Sequence, residues 1–295
     1  MYTKDLETPA ILLDLDIMEN NLRNYQNQCT QNHKALWPMV KTHKSATILK
    51  KQLEMGAEGV LCGTVDECEM AVEAGAKNVM YAYPVANPKN ISRLAALAKK
   101  AKIIIRLDHL DVAHLLEEWA EKEQIIFYYS IIVDMDFHRF GIHPKKVIDF
   151  AEKMKSFPHL KLFGISTHPG QVYGCTTQEE RTAVAKLEWD VLAETATKLK
   201  EADFTDFYVT SGSTPTFQLT VENPAIQIYH PGNYVYHDAI QIALGSAKEE
   251  DCSLTVLATI ISHPSEDTLL CDAGAKCLGL DQGAHGKSAV HGFGI

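Results

Sequence analysis

Residues 102–135 read KIIIRLDHLDVAHLLEEWAEKEQIIFYYSIIVDM, and their period decides the fold. Two short apolar runs, 102–108 and 126–135, are rich in Ile, Val and Tyr. Their length and composition suit strands buried on both faces. Between them, 111–122 places apolar residues at helical spacing and charges on the remaining positions. A buried strand, an amphipathic helix and a second buried strand imply parallel strands joined by a right-handed crossover.

The unit recurs in both directions. Further runs stand at 35–41 (ALWPMVK), 59–63 (GVLCG), 78–84 (NVMYAYP), 162–168 (LFGISTH), 206–212 (DFYVTSG) and 225–230. Helical spacing returns at 145–155, and at 183–202 Val184, Leu187, Val191 and Leu199 share one stripe. Gly56 and the 74–75 position read as helix stops. Eight strands in about 200 residues predict an α/β fold, a (β/α)8 TIM-type barrel. Periodicity alone does not exclude a doubly wound sheet. After Asn233 the runs LTVLATIIS (254–262) and TLLCDAG (268–274) have little helical period and predict a C-terminal β-rich domain. The first run, 10–14 (AILLD), stands outside this count.

The chain has 295 residues, with 28 Lys+Arg against 38 Asp+Glu and a formal net charge of -10. That balance argues against a nucleic-acid or anionic-membrane partner, both of which need clustered cations. Its 46% hydrophobic and 22% charged residues are ordinary globular composition. No apolar run approaches a membrane span, and the start MYTKDLETPA has no apolar signal region, so a cytoplasmic location is expected. The seven cysteines are scattered, without a C-x-x-C pair, and read as free thiols.

Barrels of this kind carry their sites at the C-terminal strand ends. Lys41 closes the run 35–41, on the face of Trp37 and Met39 by alternation. A lysine aimed into a barrel is desolvated, its pKa falls, and it becomes an amine nucleophile. The same position also suits a lysine that ends a strand and reaches solvent. Residues 210–216 (TSGSTPT) offer successive N–H groups with the Ser213 and Thr214 hydroxyls, which suit a phosphate or, equally, an N-capped loop. Gly232 and Asn233 in HPGN form a second glycine turn, and barrel phosphate sites commonly use the loops after the last two strands. Arg139 could meet an anion or a heterocycle nitrogen, or lie on the surface; His168 and Tyr173 sit past another strand end. His285 and His291 have no partner at metal-ligand spacing.

In order along the chain, TPAILLD (8–14), WPMVKTHK (37–44), VDMDFHRFG (133–141), GISTHPGQVYG (164–174), SGSTPT (211–216), HPGNYVYHD (230–238) and LLCDAGAKCLGLD (269–281) carry a resemblance. The chain resembles fold-type III pyridoxal-phosphate enzymes, in the D-threonine aldolase and D-serine dehydratase group related to alanine racemase. That resemblance implies a lyase acting on small D-β-hydroxy amino acids, in which Lys41 forms a Schiff base with pyridoxal 5'-phosphate. Thr214, Gly232 and Asn233 would hold the cofactor phosphate, Tyr173 would line the site and Arg139 would face the pyridine nitrogen. His168 and Ser213 complete the expected cofactor-binding set. An amino-acid racemase, a pyridoxal-phosphate carrier without turnover and a barrel for another phosphorylated metabolite are the other readings.

The resemblance also implies a homodimer, and a fold whose first strand joins the β domain. The barrel would then span 15–232, and the β domain 1–14 with 233–295. Two departures stand out. Ser166 and Thr167 occupy positions where relatives often carry an aromatic residue. Relatives also carry an acidic-His-Gly motif and a His-x-Cys or His-x-Asp pair for a divalent metal, Zn or Mn. This sequence reaches Ile295 before either, so the metal is implied without its ligands and an incomplete β domain is expected.

Overall fold

The computed structural model describes residues 3–279 together with Val290 and Gly292. The chain opens with β1 (Ala10–Leu13) and α1 (Leu15–Gln31). Strand–helix pairs follow: β2 (Ala35–Leu36) and α2 (Ala46–Glu54), β3 (Val60–Cys62) and α3 (Val65–Glu73), β4 (Asn78–Tyr81) and α4 (Pro88–Ala98), β5 (Lys102–Leu107) and α5 (Leu110–Glu123). Next come β6 (Phe127–Ile132) and α6 (Val147–Met154), β7 (Leu160–Ser166) and α7 (Gln178–Glu201), and β8 (Tyr208–Ser211) and α8 (Thr214–Thr220). Then β9 (Ile228–Tyr229) and α9 (Ala239–Ala243) lead to β10 (Leu254–Leu257), β11 (Ile260–Ser265) and β12 (Thr268–Cys271).

Strands β2 to β9 form one parallel sheet in the order β2-β9-β8-β7-β6-β5-β4-β3. The sheet curls until its ends meet: Met39 bridges Leu61 in parallel, and the Leu61 N–H donates to the Pro38 carbonyl at 2.9 Å. This is the barrel that alternation predicts, and the doubly wound sheet is excluded. Trp37, Met39, Leu61, Met80, Ile104, Phe163 and Ile228 fill its interior. A larger apolar layer lies between the strands and the surrounding helices, including Leu22, Val60, Ile91, Leu116 and Leu192. Helices begin where side chains satisfy their first N–H groups: Ser45 caps α2, Thr64 caps α3, and Thr177 with Glu180 makes a capping box on α7. Gly56 and Gly75 stop α2 and α3 at φ +113° and +105°, which glycine adopts without strain.

Two expectations change and a third holds. The run 35–41 pairs only over Ala35–Leu36, because Pro38 has no N–H to continue a ladder, and the chain then tightens into a 3-10 turn at Val40–Thr42. The segment after Asn233 is helical before it is β: 3-10 turns at Asn233–Val235 and Glu249–Asp251 flank α9, and strands resume at Leu254. Strand β1 pairs antiparallel with β10, Ala10 against Leu257 and Leu13 against Leu254, so the chain's first strand joins its C-terminal strands as the resemblance implies. Strands β11 and β12 form an exposed hairpin. The expected β domain runs on past Gly279, outside the described residues, as do His285 and His291.

Cys29, Cys62, Cys68 and Cys175 are buried free thiols. Among the described residues no helix is long and apolar enough to cross a membrane. The tightest packing in the barrel wall is at Gly164 of β7, where an added Cβ would stand 1.9 Å from the Tyr208 carbonyl oxygen of β8. Gly164→Ala is expected to cost about 3 kcal/mol by forcing the two strands apart. Urea unfolding measures this, and an unchanged midpoint would contradict the β7–β8 register.

Candidate active site

At the C-terminal mouth of the barrel, Trp37 and Met39 point inward and Lys41 stands two residues beyond them. Lys41 is exposed, and this corrects the expectation of a desolvated lysine. With the strand ended by Pro38, the turn lifts Lys41 above the packed layer instead of into it. The turn is held from two sides. The Met39 N–H donates to the Pro231 carbonyl at 3.0 Å, beside Gly232, where a Cβ would meet the Met39 carbonyl and Thr42 Oγ1 at 3.1 Å. On the other side Lys44, at φ +48°, pairs with Glu67 at 2.5 Å. Glu67 is buried at the start of α3, and its second oxygen accepts from the Gly63 N–H at 2.6 Å. Lys44 is thus a strut for the Lys41 turn.

Three cations act on one histidine. His168 Nδ1–H donates to the Gly212 carbonyl at 3.2 Å. Burial, then Lys41, Arg139 and Arg106, push its pKa down to about 3. Arg106, His168 and Arg139 line one crevice with Asp134, Phe137 and Thr167. Arg139 is exposed at the rim, yet its guanidinium carbon lies 4.5 Å from the Phe140 ring centre, 4.9 Å from Phe137 and 5.8 Å from Tyr83. That partial desolvation lowers its pKa.

Arg106 and His230 are site residues that the sequence reading missed. Arg106 is buried on β5; its Nε donates to Ser166 Oγ at 2.8 Å and its Nη2 has no partner. Burial and the neighbouring Arg139 bring its pKa down to about 10. The legible signal was an arginine interrupting the apolar run KIIIRLD on the inward face of Ile104. His230 is buried with Nδ1 at 2.9 Å from the Trp37 carbonyl, and its Nε2 has no partner. Burial holds its pKa at about 3. Ser166 and Thr167 are absorbed by the wall: Ser166 Oγ takes the Arg106 hydrogen bond and Thr167 Oγ1 donates to the Val133 carbonyl at 2.7 Å.

The two glycine turns meet beside the Lys41 turn and His168. Gly212, at φ +140°, approaches so closely that a Cβ would lie 2.9 Å from the His230 nitrogen. Thr214 Oγ1 accepts from the Tyr234 N–H at 3.2 Å, which ties the turn after β8 to the turn after β9. Ser213 Oγ lies 3.1 Å from Thr216 Oγ1. Asn233 Nδ2 donates to Asp238 Oδ2 at 2.5 Å. Tyr173 lies against Asp238 and bonds to Gln241, with its phenol pKa raised by burial. Hydroxyls, small turns and cations around two unpaired buried nitrogens, Arg106 Nη2 and His230 Nε2, fit a planar phosphorylated group such as pyridoxal phosphate. Among the described residues no group of three or more His, Cys, Asp or Glu is placed to hold a metal ion.

Both imidazoles, His230 buried and His168 half-buried, should stay neutral well below the usual pKa of 6.5. Their depressed pKa values give stability that is full above pH 6.5 and is lost as pH falls towards about 3, since the unfolded chain takes up protons first. Ring resonances of His168 and His230 should be flat between about pH 8 and pH 5. A mid-range titration of either would contradict this packing.

Residues 13–239 match the family described as the alanine racemase N-terminal domain, and residues 253–293 match a putative serine dehydratase domain. A D-threonine aldolase of Arthrobacter sp is 30% identical over 278 residues, covering 92% of this chain and 72% of that protein. A D-serine dehydratase of Dictyostelium discoideum is 28% identical over 313 residues, covering 99% and 79%. The crystal structure of a D-threonine aldolase from Filomicrobium marinum superimposes with a TM-score of 0.88 at 26% identity, over 95% of this chain and 77% of that one. The chain belongs to the family of the alanine racemase N-terminal domain, alongside D-threonine aldolase and D-serine dehydratase.

Proposed function

We propose that this chain is a pyridoxal-phosphate-dependent lyase acting on D-β-hydroxy amino acids of the D-threonine or D-serine kind. The observation that carries the reading is Lys41 on a braced turn packed against the Gly232 turn and near enough to His168 for its charge to act there. Pyridoxal phosphate supplies an electron sink for charge developing at the substrate Cα. Lys41 Nζ would hold the cofactor, and as a free amine it would take or return a proton at the substrate Cα. Ser213, Thr214, Gly232 and Asn233 bind the phosphate, with Tyr173 behind Asn233. Arg106 and Arg139 keep their protons, so they orient anionic groups without transferring a proton to the ring. His168 is neutral beside three cations and serves as a hydrogen-bond acceptor near the substrate hydroxyl.

Supporting a homodimer, Ile11, Val256, Ile260, Ile261, Leu269 and Leu270 are exposed on the strands around β10–β12, an apolar surface that a second copy would cover. We further read the barrel as 15–232 with 1–14 and 233–295 as a β-rich unit, in a cytoplasmic enzyme.

The purified protein with pyridoxal phosphate should show a yellow band that borohydride abolishes, with the reduced adduct on Lys41 and none in Lys41→Ala. A colourless protein would remove the cofactor. Supplied with pyridoxal phosphate and a divalent metal, it should convert D-threonine to glycine and an aldehyde, or D-serine to pyruvate and ammonia. If both substrates come back unchanged, the lyase reading is wrong.

A further inference from the structure

The barrel is also open at the end away from Lys41. A cavity of about 690 Å3 lies there, and the first residues of β2, β4, β5, β8 and β9 line it. Its size falls in the range of small-molecule pockets, and it stands at the opposite end from the strand termini where barrels carry their chemistry. Three rings form its wall. Trp37 and Phe163 stand 5.4 Å apart between ring centres, and Phe163 stacks on Tyr208 at 5.0 Å. Trp37 and Phe163 are each 4% exposed or less, whereas Tyr208, at the start of β8, is 45% exposed. The rings therefore run from the barrel interior out to solvent, and a flat molecule would continue them.

Two polar groups of the lining lack partners among the described residues. The Trp37 Nε1–H is buried and has no acceptor. Lys102 Nζ lies 4.2 Å from the Tyr128 ring centre and 5.0 Å from that of Phe163, with no carboxylate in ion-pair reach. We propose that this cavity is a second small-molecule site that takes a planar aromatic anion, with its ring against Phe163 and Tyr208 and its anionic group at Lys102.

Charge decides the sign of the ligand. An aromatic slot also suits a cation, but Lys102 already holds the faces of Tyr128 and Phe163 and would repel a second one. The groove that adjoins the start of β5 is lined by Lys77, Lys99 and Lys100 with Lys102, and by no Asp or Glu. Lys99 pairs with Glu123, while Lys77 and Lys100 have no ion-pair partner among the described residues. Lys34, also in the cavity lining, is spent on the Asn223 carbonyl at 2.7 Å. Glu58 is the carboxylate of the lining, and it is exposed to water and screened. A chain of net charge -10 thus turns a cationic edge to this end. Stacking on the rings would hold any flat aromatic molecule, and the ammonium adds the preference for an anion.

The probes are naphthalene-2-carboxylate and its neutral analogue naphthalene-2-carboxamide, titrated into the whole protein by calorimetry. Wild type should bind the carboxylate about tenfold more tightly than the carboxamide. In Lys102→Met, which keeps the stem without the charge, the two should bind alike. Tyr208→Ala should weaken both by about fivefold and leave the preference unchanged. Lys41→Ala, changed at the mouth alone, should match wild type. The indole N–H resonances give the position in a protein whose cavity is unaltered. They come from three tryptophans and are assigned with Trp119→Phe and Trp189→Phe. The Trp37 signal should move during the titration and the other two should stay. No saturable binding, a preference that survives Lys102→Met, or an unmoved Trp37 signal overturns the proposal. Loss of binding in Lys41→Ala overturns it as well, because the probe would then sit at the mouth.

Discussion

Where β2 meets β9, two residues of parallel pairing continue as the Trp37 N–H to the Tyr229 carbonyl and the Met39 N–H to the Pro231 carbonyl, both near 3 Å. This seam closes the barrel and also fixes the mouth. Gly232 lies against Met39 and Thr42 with no room for a side chain, so the turn that presents Asn233 and the turn that presents Lys41 are one packed unit. Displacing either moves the other. Thr214 extends the unit to the preceding turn through the Tyr234 N–H, and the Lys44–Glu67 pair extends it to α3. Catalytic geometry that depends on near-ångström placement is thereby tied to backbone packing, which is stiffer than side-chain contact.

The charge distribution runs against the composition. A chain of net charge -10 gathers Lys41, Arg106 and Arg139 around a single mouth, and leaves two imidazoles there too buried to add a proton. Such a mouth attracts a small anion from a molecule whose outer surface repels polyanions. Glu188 is buried behind the turn that follows β8, where it accepts from Ser211 and burial pushes its carboxyl up to about 7.

Aromatic rings take on part of the work usually given to carboxylates. Arg139 is held among Phe137, Phe140 and Tyr83 without a counter-ion among them, which positions its charge while leaving its donors unspent. Arg106 shows the same economy: one hydrogen bond to Ser166 and an unpaired Nη2. Ser166 supplies the acceptor that keeps this guanidinium inside the wall.

Period and turn chemistry are local properties, and the sequence by itself determined everything that follows from them. The eight strands, the helix stops at Gly56 and Gly75, and the glycine turns around Ser213 and Gly232 are legible because strand burial, φ > 0 and cap formation each depend on a few adjacent residues. The resemblance carried by WPMVKTHK and HPGN likewise located the mouth. The tertiary structure alone decided how each charge behaves. Lys41 stands above the packed layer because Pro38 ends a strand whose partner, β9, lies far away in the chain. Arg106, His230 and Glu188 matter because of what surrounds them across the barrel. Desolvation and hydrogen-bond supply are set by neighbours distant in sequence, and no window of the sequence contains them.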